Sequence, residues 1–175
     1  LGVRARRPRR LAAAGAIAAL AACLMLVFGP SVLLRLQASH VTSTAEIRTQ
    51  RLEDGSVVQL GPESAIDVAF EAATRRVRLL KGEAFFSVVP DSSRPFVVHS
   101  GDVQTTVLGT SFEVRQVDEA TDIAVREGIV KVACESSTPR VVGRLAAGDR
   151  VRINGQGHVM RTQEAVGEMA AWLQG

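Results

Sequence analysis

Histidine and cysteine are scarce in this chain, with three and two copies in 175 residues, and none stands in a ligand pattern. His40, His99 and His158 are far apart, no H-x-x-H or H-E-x-x-H occurs, and Cys134 has no neighbouring cysteine, which argues against zinc. A G-x-S-x-G elbow is missing, as is a glycine-rich phosphate loop ending in Lys-Ser or Lys-Thr. Gly109-Thr110-Ser111 offers hydroxyls, but between two strands they read as turn and edge residues. Glu83, Glu113 and Glu127 are the carboxylates that in principle pair as acid and base, yet lone carboxylates at strand ends are ordinarily solvated. No residue is assigned to catalysis, to a cofactor or to a metal, and the chain is not expected to be an enzyme.

Charge of one sign is absent over a long stretch. From Leu11 to Leu34 there is no charged residue, while Arg4, Arg6, Arg7, Arg9 and Arg10 stand before the run and Arg35 just after it. A bilayer core of about 30 Å needs roughly 20 apolar residues as a helix, and basic flanks stay on the cytoplasmic side. Three readings fit the run: a retained single-pass anchor, a cleaved signal sequence ending near Gly29-Pro30, and a buried soluble helix. The run continues through Val32, Leu33 and Leu34 without a small-x-small cleavage site, and it has no polar face, which favours the anchor. The opening Leu1, in place of methionine, adds the expectation of further chain upstream.

The formal charge of +3 and the pI near 9.5 suggest nucleic acid, but the distribution does not. Setting aside Arg35 and the five upstream arginines leaves 15 basic residues against 18 acidic ones, so residues 36–175 carry a net charge of −3. A phosphate-binding domain concentrates positive charge on itself; here the arginines serve topology or anionic lipid head groups. Cys23 lies inside the apolar run and Cys134 beyond it, so an anchored protein would not pair them. An oxidising compartment is allowed but not required, and Cys134 reads as a small buried apolar residue.

The residues after the anchor suffice for one domain with its own core. Ile66, Val68 and Phe70 alternate with polar or small neighbours, as do Phe112 with Val114 and Val151 with Ile153, which is the pattern of half-buried strands. Turn signals separate the runs at Asp54-Gly55, Gly61-Pro62, Lys81-Gly82, Gly101-Asp102, Glu127-Gly128, Gly148-Asp149 and Asn154-Gly155. A weak repeat puts Gly55, Gly82, Gly128 and Gly148 directly before strands, where positive φ suits a corner. The expected fold class is all-β, a multi-stranded β-sandwich or a short β-solenoid-like module; the irregular repeat spacing leaves both open. At the end, Val166, Met169, Ala170 and Leu173 have helical spacing, with Thr162 as a cap and Gly175 after the stop. Trp172 beside this stripe reads as a packing anchor against the β-module. The resulting division is a basic arm over 1–10, a transmembrane helix over 11–34, a linker over 35–43, the β-module over 44–161 and a short C-terminal helix over 162–175.

Five segments carry a resemblance. They are Asp54-Gly55-Ser56-Val57-Val58-Gln59-Leu60, the run Arg75 to Phe86 with Lys81-Gly82-Glu83, then Arg94-Pro95-Phe96-Val97-Val98, Val107-Leu108-Gly109-Thr110-Ser111-Phe112-Glu113-Val114, and Val125-Arg126-Glu127-Gly128-Ile129-Val130-Lys131-Val132. In this order they are similar to the signatures of the FecR family, single-pass regulators of the Gram-negative inner membrane, and the match extends over about residues 44–175. Gly148 and the closing Ala171-Trp172-Leu173-Gln174-Gly175 also resemble the family's pattern.

What the resemblance implies is signalling. Family members hold an extracytoplasmic-function sigma factor through a short cytoplasmic region. Their periplasmic part senses the signalling domain of a ligand-loaded TonB-dependent outer-membrane receptor, commonly for iron uptake. The implied location is the inner membrane, with the N-terminus cytoplasmic and the β-module periplasmic. The implied partners are the sigma factor, the receptor and membrane lipid, with no nucleic acid. The sigma-binding region would lie upstream of Arg4 and the receptor-facing region downstream of Gly175. The alternative is an envelope binding or scaffold module without sigma control, as FecR-like modules occur in other architectures.

Overall fold

A computed structural model describes residues 22–25, 34, 36–135, 142–167 and 170–174. The chain divides into two compact units, Leu1–Gln37 and Ala38–Gly175. The basic arm and most of the apolar run expected to span the membrane lie outside the described residues; residues 22–25, 34, 36 and 37 are helical. No helix among the described residues is long and apolar enough to cross a membrane.

In the second unit, thirteen described strands form one sheet. They are β1 (His40–Val41), β2 (Arg48–Arg51), β3 (Val57–Leu60), β4 (Ala65–Phe70), β5 (Arg75–Ser87), β6 (Phe96–Ser100), β7 (Val103–Val107), β8 (Ser111–Val117), β9 (Ala120–Glu127), β10 (Ile129–Cys134), β11 (Val142–Ala146), β12 (Asp149–Ile153) and β13 (Val159–Gln163). The sheet runs β11-β10-β7-β6-β5-β8-β9-β12-β13, and β5 also pairs with β3 and β4, which carry β2 and β1 in turn. Only β5 with β6 is parallel among these pairs.

The thirteen-residue β5 makes this topology possible because its two halves have different neighbours. Arg75 to Leu79 lies between β4 and β6, whereas Ala84 to Ser87 lies between β3 and β8. Between them the ladder to β4 skips Leu80, just ahead of Gly82, where φ is +82°. Arg75, Val77 and Leu79 face inward before it, and Ala84 and Phe86 after it, so the inward parity moves by one residue. An extra residue of this kind bends a strand and redirects its side chains. The sheet therefore curls, and its halves enclose one core. Phe86 meets Phe96 edge-on at 5.9 Å and stacks on Phe112 at 5.2 Å. Ser100 Oγ and Thr121 Oγ1, from β6 and β9, are 3.1 Å apart across the core. Cys134 is buried within this core.

The all-β expectation thus takes the form of a curled open sheet, closer to the sandwich than to a solenoid. A solenoid stacks successive turns in order; here β7 pairs with β10, skipping β8 and β9. All four corner glycines have positive φ, although Gly82 lies inside a strand and not before one. Two boundaries differ from expectation. Within the supposed linker, Ser39 and Thr42 donate backbone bonds to Ile66 and Ser64 at 2.8 Å each, flanking β1. The helix expected over 162–175 is replaced by the end of β13 and a 3-10 turn at Ala171–Gln174. Thr162 sits opposite Arg150 in the β12–β13 ladder instead of capping a helix. Ladder bonds satisfy that backbone at once, whereas a short helix carries a nucleation cost and Gly167 adds about 1 kcal/mol to it.

A Cβ at Gly82 would come within 2.7 Å of the Ser64 Cα, a backbone atom, in addition to the strain of φ +82°. Gly82→Ala is expected to cost about 1–3 kcal/mol or more, read from the urea midpoint. Gly143→Ala, with nothing within 4 Å, is the control and should stay within about 0.5 kcal/mol. Equal effects of the two would contradict the role given to Gly82.

Candidate functional site

Four of the five signature segments meet at one end of the curled sheet, around a single guanidinium. Arg75 is entirely buried, and its partner Asp54 has a side chain only 3% exposed. Alternation explains the placement: Arg75 shares parity with Val77 and Leu79 and so must point inward with them. Its Nη1 donates to Asp54 Oδ2 at 2.6 Å and to the Val89 carbonyl at 3.0 Å, and Nε donates to the Arg94 carbonyl at 2.9 Å. The Phe96 ring lies beneath, 5.4 Å from the guanidinium carbon. The planar fork of arginine suits such a convergence of fixed acceptors, and a lysine would supply a single point charge.

The acceptors are held by two local turns of the same design. Asp54 Oδ1 accepts from the Ser56 backbone N–H at 3.0 Å and Oδ2 from the Ser56 hydroxyl at 2.6 Å. Asp91 Oδ1 accepts both the backbone N–H and the hydroxyl of Ser93, at 3.0 Å and 2.6 Å, and Oδ2 accepts from the Arg94 Nε at 3.2 Å. Side-chain bonds of Asp to the backbone two residues on mimic a turn, and Pro95 keeps Arg94 extended. Burial pushes the Asp54 carboxyl up, but the bonds from Ser56 and Arg75 outweigh it and hold the group below the usual aspartate range. The Ser93 hydroxyl and then Arg94 bring Asp91 down to about 2.

The remaining expected site residues fall in three places. Around the Arg75 cluster, Pro95 accepts the Arg75 backbone N–H at 3.0 Å, and Thr110 accepts that of Val88 at 2.9 Å. Gly109 packs so closely on Pro90 that a Cβ would reach its Cα at 2.8 Å, and Gly55 turns the chain beside Asp54 with φ +84°. Phe96 and Phe112 belong to the core stack. Glu127 and Gly128 form the exposed β9–β10 corner. Gly148 makes the β11–β12 corner and donates to the Val125 carbonyl at 2.9 Å.

The third place is the outer face of β8, β9 and β12. Trp172 Nε1 donates to Glu113 Oε1 at 2.6 Å, and Arg150 stands 3.5 Å from the other oxygen. Arg150 also binds Glu164, drawing the C-terminal segment onto this face. Glu83 lies on the same face, raised above the usual range first by burial and then by the Glu113 charge. The structure thus brings Glu83 and Glu113 together and leaves Glu127 apart. Arginines and the indole engage this pair, with Arg115 3.9 Å from Glu83, so the arrangement is an ion-pair network holding the chain end. Among the described residues no group of three or more His, Cys, Asp or Glu is placed to hold a metal.

Arg75 was the residue most easily missed in the sequence, because it opens a run of four cations that reads as a solvated face. Its signal was parity, an arginine in step with Val77 and Leu79.

The model of the FecR protein family matches residues 38–131, more than half of the chain. The chain belongs to this family. The match begins at the compact β-unit and includes every residue of the Arg75 cluster, while the FecR model ends before Trp172. Crystal structures of a "putative anti-sigma factor" from Parabacteroides distasonis, at 1.65 Å and 2.50 Å resolution, are similar to the chain. Each shares 33% identity with a TM-score of 0.70, over 78% of this chain and 64% of that one. The chain therefore spans somewhat less than two thirds of their length. No curated protein matches the chain.

Removing one partner of a buried ion pair strands the other charge. Asp54→Ala in this FecR-family chain is expected to cost about 3–5 kcal/mol. In an Arg75→Met background the same replacement should cost less by about 1–3 kcal/mol. Urea titrations of the four proteins measure this coupling, and simple additivity would show that the two side chains act independently.

Proposed function

We propose that the chain is part of a sigma-factor regulator, with the curled β-sheet as its signal-transmitting module. The observation that carries this reading is the likeness, at 33% identity over 78% of the chain, to a protein described as a "putative anti-sigma factor". Membership of the FecR family agrees with it. In the full proposal the apolar run Leu11–Leu34 anchors the protein in the inner membrane with the arginines inside. The module then stands in the periplasm between a TonB-dependent receptor and an extracytoplasmic-function sigma factor, in a system for iron uptake. Such a relay performs no bond chemistry of its own. It requires that binding on one side change the relative free energy of two states on the other. A cut that frees the cytoplasmic end offers a route without a conformational wire.

The test is a strain in which residues 44–175 are deleted while the anchor and upstream region remain. Sigma-dependent transcription should then lose its dependence on the receptor's ligand. Transcription that still followed the ligand would remove the relay reading and leave the envelope scaffold in its place.

A further inference from the structure

On the outer face of β7, β10 and β11, reaching Leu108 and Gly109 beside the Arg75 cluster and apart from the face covered by Trp172, lies a groove of about 520 Å³. Leu108 and Ile129 line it and are 50% and 60% exposed. Lys131 and Arg144 line it too, directly opposite each other in the β10–β11 ladder. Like charges facing across a ladder destabilise a sheet. Neither cation has an ion-pair partner among the described residues, although their neighbours in the same sheet do. Arg76 is 2.9 Å from Glu71 and Arg78 is 2.8 Å from Asp67. At the β11 edge two backbone groups are already engaged: Arg161 donates to the Arg144 carbonyl at 3.3 Å and Asp149 accepts the Ala146 N–H at 2.8 Å.

We propose that this groove is a docking site for an acidic segment of a partner protein, with one apolar side chain seated between Leu108 and Ile129 and carboxylates on Lys131 and Arg144. Charge complementarity selects the sign of the occupant, and the pairing of like charges gains its compensation only when that occupant is present. The concave shape, with two unpaired cations among the described residues, favours a protein segment over a membrane, since lipid surfaces are read by clusters of about four to eight basic residues. This assignment rests on the groove alone and stands independently of the sigma-regulator reading.

The experiment titrates the full chain with a short fluorescent peptide alternating glutamate and leucine. An all-glutamate peptide, a lysine–leucine peptide and phosphatidylserine vesicles are the comparators. The glutamate–leucine peptide should bind at least about tenfold tighter than the all-glutamate one. It should lose about tenfold in Lys131→Glu/Arg144→Glu, which in turn should gain affinity for the lysine–leucine peptide. Ile129→Ser should weaken the acidic peptide with an unchanged circular dichroism spectrum. Lys131→Gln/Arg144→Gln serves where charge reversal unfolds the chain. Binding indifferent to these substitutions overturns the proposal. So does displacement of the peptide by the vesicles, which would assign the groove to lipid. Self-association abolished by Ile129→Ser, without peptide binding, would assign it to a second copy and overturn the proposal equally.

Discussion

A charged guanidinium withdrawn from water has to be matched by acceptors that do not move, and Arg75 imposes that demand on three separate stretches of chain. Asp54 arrives from the β2–β3 turn, the carbonyls of Val89 and Arg94 from the segment after β5, and the Phe96 ring from the start of β6. None of these is adjacent in sequence to Arg75, and Asp54 and Arg94 are themselves held by local turns. Desolvating such a pair is expensive, so its contribution lies in specificity: a register slip by one residue would turn Arg75 outward and bury Arg76. Because Arg75 opens β5, the strand shared by both halves of the sheet, fixing it fixes the pairing of both. Gly82 completes the arrangement by turning the same strand into the second half.

Much of this fold is legible in the amino-acid order and some is not, for reasons that can be traced. Alternation identifies β4, β8 and β12, and the buried residues Ile66, Phe112, Val114, Val151 and Ile153 follow it. The four corner glycines are where positive φ is needed. The choice between sandwich and solenoid was not available, because it depends on which strands pair at long range and on the parity change inside β5. At the C-terminus the ladder to β12 takes Val159–Gln163, the start of the expected helix included, and the helical turn among the described residues is Ala171–Gln174. Trp172 did turn out to lie against the β-module, but its polar handle on Glu113 depends on a partner 59 residues away, which local periodicity cannot supply.

The two outer faces of the sheet differ in how their charges are used. On β8, β9 and β12, acids and arginines neutralise each other under the chain end, and Glu113 is buried by its own contacts. On β7, β10 and β11, Lys131 and Arg144 face each other beside exposed Ile129 with no ion-pair partner among the described residues. The first face is largely ion-paired, with Arg115 Nε left without a hydrogen bond, whereas Lys131 and Arg144 on the second have no ion pair among the described residues, so an incoming acidic segment would find its energetic reward on the second. A binding event there reaches the rest of the module only if the curled sheet behaves as one body.

That condition, a single cooperative unit joined through β5, is the central claim, and native-state hydrogen exchange across a urea series tests it most directly. Amides of β6, β7 and β10 should exchange with the same opening free energy as those of β8, β9 and β12, with the loss of Trp172 fluorescence at the same midpoint. A lower opening free energy for β6, β7 and β10, with β8, β9 and β12 still protected, would show that the halves unfold separately and that Arg75 and β5 do not bind them into one.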